Sequence, residues 1–166
     1  MGKPQKLTWR EEAGTAENAR ERLPKLARDY FAEVRKVLAG DPAPPELHRL
    51  RLASKRFRYT LELFRPCYAG GLEERIQALK RVQDLLGDCN DAVASLPHIE
   101  KLLRFRRAEK TRMRKYLQDL AAEKAAAFQK HWVEEFDAEG CEEWWTVYLA
   151  RNARPPLNVR PPVRGR

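Results

Sequence analysis

Apolar residues recur every three or four positions along most of the chain, which is the spacing of an amphipathic α-helix. No stretch shows the alternation of a half-buried strand. The predicted helices cover residues 16–38, Leu47 to Phe64, Leu72 to beyond Leu86, a long segment after about 104–108 that ends near Asp137, and 141–150. The sequence therefore predicts an all-α protein, an antiparallel helical bundle of about four main helices with a short C-terminal helix.

Prolines and glycines mark boundaries but leave several of them open. The segment 40–45, Gly-Asp-Pro-Ala-Pro-Pro, ends the first helix and places a proline at the start of the second. At Pro24 the first helix either begins or is kinked. Gly87 either ends the third helix or marks a close contact that excludes a side chain. Pro97 predicts a further boundary or a kink.

These patterns divide the chain into three parts. Residues 1–15 have no sustained period and are expected to form a flexible leader, with Thr15 as the N-cap of the first helix. Residues 16–150 form one helical domain. Residues 151–166 carry five arginines, four prolines and no acidic residue, and we expect a disordered basic tail because apolar content is low.

The charge balance indicates the kind of partner. The chain has 33 Lys+Arg against 24 Asp+Glu, a net charge of +9, which favours nucleic acid, polyphosphate, an anionic membrane surface or an acidic protein without ranking them. No apolar run is long enough to span a bilayer. The three cysteines follow no metal-like spacing and no signal peptide opens the chain, so we expect a cytoplasmic protein with reduced thiols, no metal and no cofactor.

The second predicted helix carries a basic row, which we define as His48, Arg51, Lys55 and Arg58. At about 100° per residue these side chains fall within roughly 80° of one another, beside a separate apolar stripe. A solvated basic face is the ordinary alternative. Like charges one turn apart destabilise a helix by a few tenths of a kcal/mol per pair, so gathering them favours an anion-binding site. Arg49 and Arg56 extend this basic surface.

Two further lysines are candidates. Lys80 on the third helix either pairs with Asp84 four residues later or points at the same anion as the basic row. Lys124 occupies an apolar register position of the long fourth helix, which indicates either a ligand-binding lysine or a stem that snorkels to the surface. The four tryptophans are expected in the core or at its cap, with Trp144, Trp145 and Tyr148 capping the bundle.

The stretch Leu-His-x-x-Arg-Leu-Ala-x-Lys-Arg-Phe-Arg-Tyr-x-Leu-Glu-Leu-Phe, residues 47–64, resembles the signature helix of the CHAD domain family. A second stretch, residues 79–91, resembles that family's other motif. The resemblance extends over residues 16–137. It implies an all-helical domain that binds inorganic polyphosphate through a basic surface or channel and has no catalytic activity of its own. It carries the binding role to His48, Arg51, Lys55, Arg56, Arg58 and Lys80.

CHAD domains usually contain two helical repeats that face each other across a basic channel, whereas this sequence shows one. The resemblance therefore adds a second expectation, a two-fold homodimer that pairs the basic rows across a cleft.

Two other functions remain open. A nucleic-acid-binding bundle would use the basic cluster at 101–115 and the arginine-rich tail, and an adaptor would bind an acidic protein. No glycine-rich phosphate loop, nucleophile elbow or metalloprotease motif is present, so an enzyme is disfavoured.

Overall fold

The computed structural model describes residues 10–101 and 106–156, and within them the chain is helical. The helices are α1 (Thr15–Leu38), α2 (Pro44–Leu63), α3 (Leu72–Glu100), α4 (Arg107–His131) and α5 (Cys141–Arg151), with a 3₁₀ turn at Arg65–Cys67 and a π-helical turn at Trp132–Phe136. The described residues form no strand, only an isolated bridge between Tyr68 and Ala153. Four main helices and a short C-terminal one confirm the predicted fold class.

The observed helices show whether a helix begins, ends or continues at Pro24, Gly87 and Pro97. α1 begins at Thr15, with Gly14 as its N-cap, and continues through Pro24. An interior proline costs about 3 kcal/mol or more. The face of α1 that is buried from Ala16 to Val34 offsets that cost. α3 likewise runs through Gly87 and Pro97 without interruption, so the predicted boundary at Pro97 is wrong.

The helices pack as an antiparallel bundle centred on α3, which contacts α2 on one side and α4 on the other, while α1 contacts α5 and α2. The core is aromatic where α1, α2, the π-helical turn and α5 meet. Its rings are Tyr30, Phe31, Phe57, Trp132, Phe136 and Trp145. Ring centroids lie between 4.7 and 5.6 Å apart in these contacts, so aromatic packing fixes the position of α5.

Arg75 attaches α5 to the start of α3. The Arg75 side chain is 2% exposed, lies with its guanidinium carbon 3.3 Å from the ring centre of Trp144 and 3.8 Å from that of Tyr148, and donates to the carbonyls of Gly71 and Trp144. Burial lowers the pKa of Arg75 to about 10. Trp145 is buried and Trp144 covers the arginine, which confirms that this helix caps the bundle.

Parts of the predicted leader and tail pack on the bundle. Ala13 is buried, and the Asn18 side chain binds the backbone of Arg10 and Ala13. At the other end Ala153 is fully buried beside Tyr68, and the amide of Arg154 donates to the carbonyl of Cys67 at 2.7 Å. The rest of the leader, with Trp9, and residues 157–166 lie outside the described residues.

Candidate anion-binding site

α2 separates an apolar face from a charged one. Pro44 and Pro45 begin the helix, and Glu46 completes its first turn by accepting a hydrogen bond from the Ala43 amide at 3.0 Å. The buried face consists of Leu47, Leu50, Ala53, Ser54, Phe57 and Leu61. Because this face is fixed against the core, the basic row is held at the surface, along the edge where α2 meets α3.

Three contacts fix the register of α2 against α3 and show that the two helices are antiparallel. The His48 ring Nδ1 lies 2.7 Å from Asn90 Oδ1, the Arg51 Nε faces Gly87, and Arg58 Nε donates to Gln83 Oε1 at 3.2 Å. The basic row therefore lies opposite the residues of the second motif. At about 100° per residue Lys80, Gln83 and Gly87 lie on one side of α3, and the contacts of Gln83 and Gly87 place that side against α2.

Arg51 occupies the space that Gly87 leaves open. A Cβ at position 87 would meet the Arg51 Nε at 3.6 Å and no other heavy atom within 4 Å outside its own helix backbone. The Nε is enclosed and has no hydrogen-bond partner in the described part of the chain. The two terminal nitrogens are not enclosed in this way. Gly87 therefore neither ends α3 nor excludes a side chain, because a Cβ there would contact Arg51 at an ordinary distance, and both alternatives that the sequence offered are wrong.

Lys55 and Lys80 are half-buried cations without an ion-pair partner among residues 10–101 and 106–156. In particular, no ion pair joins Lys80 to Asp84, which was the alternative reading of that lysine. With Arg51 they make three cations at one helix junction that no described carboxylate neutralises. Such a junction repels further cations and attracts an anion with several oxygens.

Arg58 differs from the rest of the basic row because it already has partners. Its side chain is 14% exposed, it donates to Glu62 at 2.7 Å as well as to Gln83, and its guanidinium lies 4.4 Å from the ring centre of Tyr59. A phosphoryl oxygen would have to share or displace these contacts. Arg58 therefore contributes charge to the site, while its hydrogen bonds already order the α2–α3 junction.

The remaining candidates lie away from the row. Arg49 and Arg56 are exposed, and at about 100° per residue they point roughly 120–140° from the centre of the row. Arg49 binds Glu46 at 3.3 Å. Lys124 is half-buried on α4, which packs against a different side of α3 through contacts such as Cys89 Sγ to the carbonyl of Ala121. No described contact brings Lys124 to the basic row.

Asn90 is the residue that sequence reasoning missed. It belongs to the second motif, but nothing in the sequence alone shows that it orients the His48 ring 42 residues earlier. Its position three residues after Gly87, on the same side of α3, is the signal that could have indicated it. Asp91, in the same motif, forms no ion pair among the described side chains, and its backbone carbonyl accepts a hydrogen bond from Ser95.

The described residues form helices only, and they place a cluster of cations on the surface where α2 meets α3. The CHAD domain family matches residues 4–100, more than half of the chain, and the match includes both α2 and α3. The chain belongs to the CHAD domain family, as the resemblance indicated. No curated protein and no solved structure gives a significant match. α4 and α5, and with them Lys124, lie beyond the matched residues.

The described residues contain neither a candidate metal site nor a candidate membrane-spanning helix. No group of three or more histidine, cysteine or acidic side chains is placed to hold a metal ion. No helix in that part of the chain combines the length and the apolar composition that a bilayer crossing requires.

Proposed function

We propose that this protein binds inorganic polyphosphate along the α2–α3 junction without cleaving it. The observation that carries the proposal is the set of three cations, Arg51, Lys55 and Lys80, that have no described carboxylate partner and lie on one junction in a member of the CHAD family. A polyphosphate chain offers many oxygens at short spacing, so it can contact all three at once.

His48 and Arg58 complete the site at its two ends. Asn90 orients the His48 ring beside the start of α2, where the positive end of the helix dipole also favours an anion. Arg49 and Arg56 strengthen the local positive potential without direct contact. Lys124 is the weakest of the predicted contacts because it belongs to another helix face. We further propose that the protein acts in the cytoplasm, where its three free cysteines remain reduced.

The test compares two neighbouring cations on α3. Lys80 lies on the side of α3 that faces α2, whereas Arg81 is exposed and points about 100° away. Lys80→Gln is expected to weaken polyphosphate binding about tenfold and to reduce the slope of log K against log salt by roughly 0.7–0.9, the amount expected for one lost phosphate contact by analogy with nucleic acids. Arg81→Gln, the matched control, is expected to change neither.

The titration is followed by calorimetry at several salt concentrations, with circular dichroism to show that both variants are folded. Equal effects of Lys80→Gln and Arg81→Gln would mean that binding follows net charge, and the assignment to the α2–α3 junction would be wrong. Incubation of the wild-type protein with polyphosphate is expected to release no orthophosphate, and release in proportion to protein concentration would contradict the non-catalytic part of the proposal.

Nucleic acid is the competing ligand. Polyphosphate is expected to displace DNA or RNA at matched charge concentration if both use the same junction. Nucleic acid that binds Lys80→Gln as tightly as the wild type would instead use another surface, such as the exposed Arg106, Arg107 and Arg112 near the start of α4.

A further inference from the structure

α2 exposes a line of apolar side chains next to the basic row. Leu52 is 42% exposed, Tyr59 49% and Leu63 78%. We call these three residues the apolar seam. They recur at i, i+7 and i+11, so they lie on one side of the helix, roughly 80° around from the basic row. Large apolar residues aligned in this way on a helix indicate a contact surface rather than scattered exposure.

The charge around the seam determines what kind of surface fits it. Lys55 and Arg56 flank the seam and have no ion-pair partner among the residues that the structure describes. The one acidic residue between Leu52 and Leu63 is Glu62, which is already bound to Arg58. A partner surface must therefore carry apolar groups together with carboxylates.

The same chain presents such a surface near the C-terminal end of its described residues. On α5, Trp144 is 48% exposed and Val147 38%, and Glu143 lies beside them. Glu139, in the turn before α5, is also exposed. Neither Glu139 nor Glu143 forms an ion pair within the described ranges, whereas the nearby Asp137 and Glu142 are bound to Arg35. We call Glu139, Glu143, Trp144 and Val147 the acidic face; Arg151 is the cation at its far end.

We propose that the apolar seam of one molecule docks on the acidic face of a second molecule, and that polyphosphate and this contact exclude each other. The seam and the acidic face match in both respects, because each has exposed apolar side chains and the unpaired charges are opposite. A two-fold pairing of α2 with its own copy would instead bring the positive faces of the two helices together, which electrostatic repulsion opposes.

The contact is heterologous, since it joins two different surfaces, and it leaves a free seam and a free acidic face at the ends of each assembly. Self-association is therefore expected to grow with concentration and not to stop at a dimer. The competition with polyphosphate rests on the proposed function. Lys55 belongs to the basic row and also borders the apolar seam, so a polyanion on the basic row neutralises part of the charge that attracts the acidic face.

Sedimentation velocity of the full chain at low salt tests the proposal by charge exchange. The wild type is expected to show a weight-average mass that rises with concentration and falls on addition of salt or of polyphosphate too short to bridge two molecules. Arg56→Glu is expected to weaken association at least tenfold, equivalent to about 1.4 kcal/mol. Arg81→Glu, an equal charge change on an exposed position of α3, is expected to have no such effect.

A mixture of Arg56→Glu with Glu143→Lys provides the decisive outcome. Each variant presents one reversed surface and one native surface, and the two reversed surfaces are complementary, so the mixture is expected to associate where each variant alone is weakened. A wild type that stays monomeric at every concentration, or an association that Arg56→Glu and salt leave unchanged, would overturn the proposal. Association that short polyphosphate does not reverse would also overturn it.

The Glu143→Lys variant, whose self-association is expected to be weakened, separates this failure from failure of the proposed function. Its basic row is intact, so it is expected to bind polyphosphate at least as well as the wild type. If Glu143→Lys binds polyphosphate but the wild-type assembly persists when polyphosphate is added, the two ligands do not exclude each other. The docking proposal is then wrong and the polyphosphate site stands. If it does not bind, the proposed function itself is wrong.

Discussion

Replacing Gly87 with alanine is expected to stabilise the fold and to leave anion binding close to that of the wild type. Gly87 lies in the interior of α3, where glycine costs roughly 0.8–1 kcal/mol relative to alanine. The added Cβ would lie 3.6 Å from the Arg51 Nε, an ordinary contact distance, with no other heavy atom within 4 Å outside the helix backbone. No strain offsets the gain, so the free energy of unfolding is expected to rise by about 0.5–1 kcal/mol.

The ligand-binding atoms of Arg51 are expected to be unaffected. The new methyl group would contact only the Nε, which is already enclosed, while the two terminal nitrogens lie more than 4 Å from it. A phosphoryl oxygen that binds the terminal nitrogens therefore keeps its approach, and the affinity for polyphosphate is expected to stay close to that of the wild type.

Urea unfolding followed by circular dichroism and calorimetric titration of polyphosphate measure the two effects on the same sample. Gly70→Ala is the control, because nothing lies within 4 Å of a Cβ at that position and the site is remote from the basic row. A Gly87→Ala protein that is less stable than the wild type would refute the packing argument. One that is more stable but binds polyphosphate clearly more weakly would show that the anion approaches Arg51 on the side of Gly87.

Two other predictions test single side chains. His48→Phe removes both ring nitrogens and the hydrogen bond to Asn90, so polyphosphate affinity is expected to fall, and an unchanged affinity by calorimetry would remove His48 from the site. Arg75→Ala removes two hydrogen bonds and the stacking on Trp144, so the free energy of unfolding in urea is expected to fall by about 2–4 kcal/mol, and a loss below about 1 kcal/mol would contradict the anchoring role.

The helices could be predicted from the sequence because their buried faces repeat with helical spacing. The start of α2 at Pro44 follows from local chemistry, since proline at the first helical position loses no hydrogen bond. The wrong boundary at Pro97 has the opposite cause. Tertiary packing continues past that proline, as the burial of Ile99 shows, and it stabilises a helix that local propensity alone would end.

The composition of the basic row could also be predicted, but the partners of its members could not. Glu62 lies four residues after Arg58, so that ion pair is visible in the sequence. The contacts of His48 with Asn90 and of Arg58 with Gln83 depend on the register between two antiparallel helices, which no local pattern specifies. The apolar seam was overlooked for a similar reason, because exposure of one side of α2 depends on which helices pack around it.

The aromatic core crosses the point where the family match ends. Tyr30, Phe31 and Phe57 lie within the matched residues 4–100, whereas Trp132 and Trp145, against which they pack, lie beyond them. A fragment cut at residue 100 would keep every cation of the proposed site and expose the rings that hold α1 and α2 in place. The smallest unit that displays the proposed ligand-binding surface in its folded form therefore extends at least through α5. The family match ends at residue 100, so the matched segment is shorter than the segment that must be present for the site to fold.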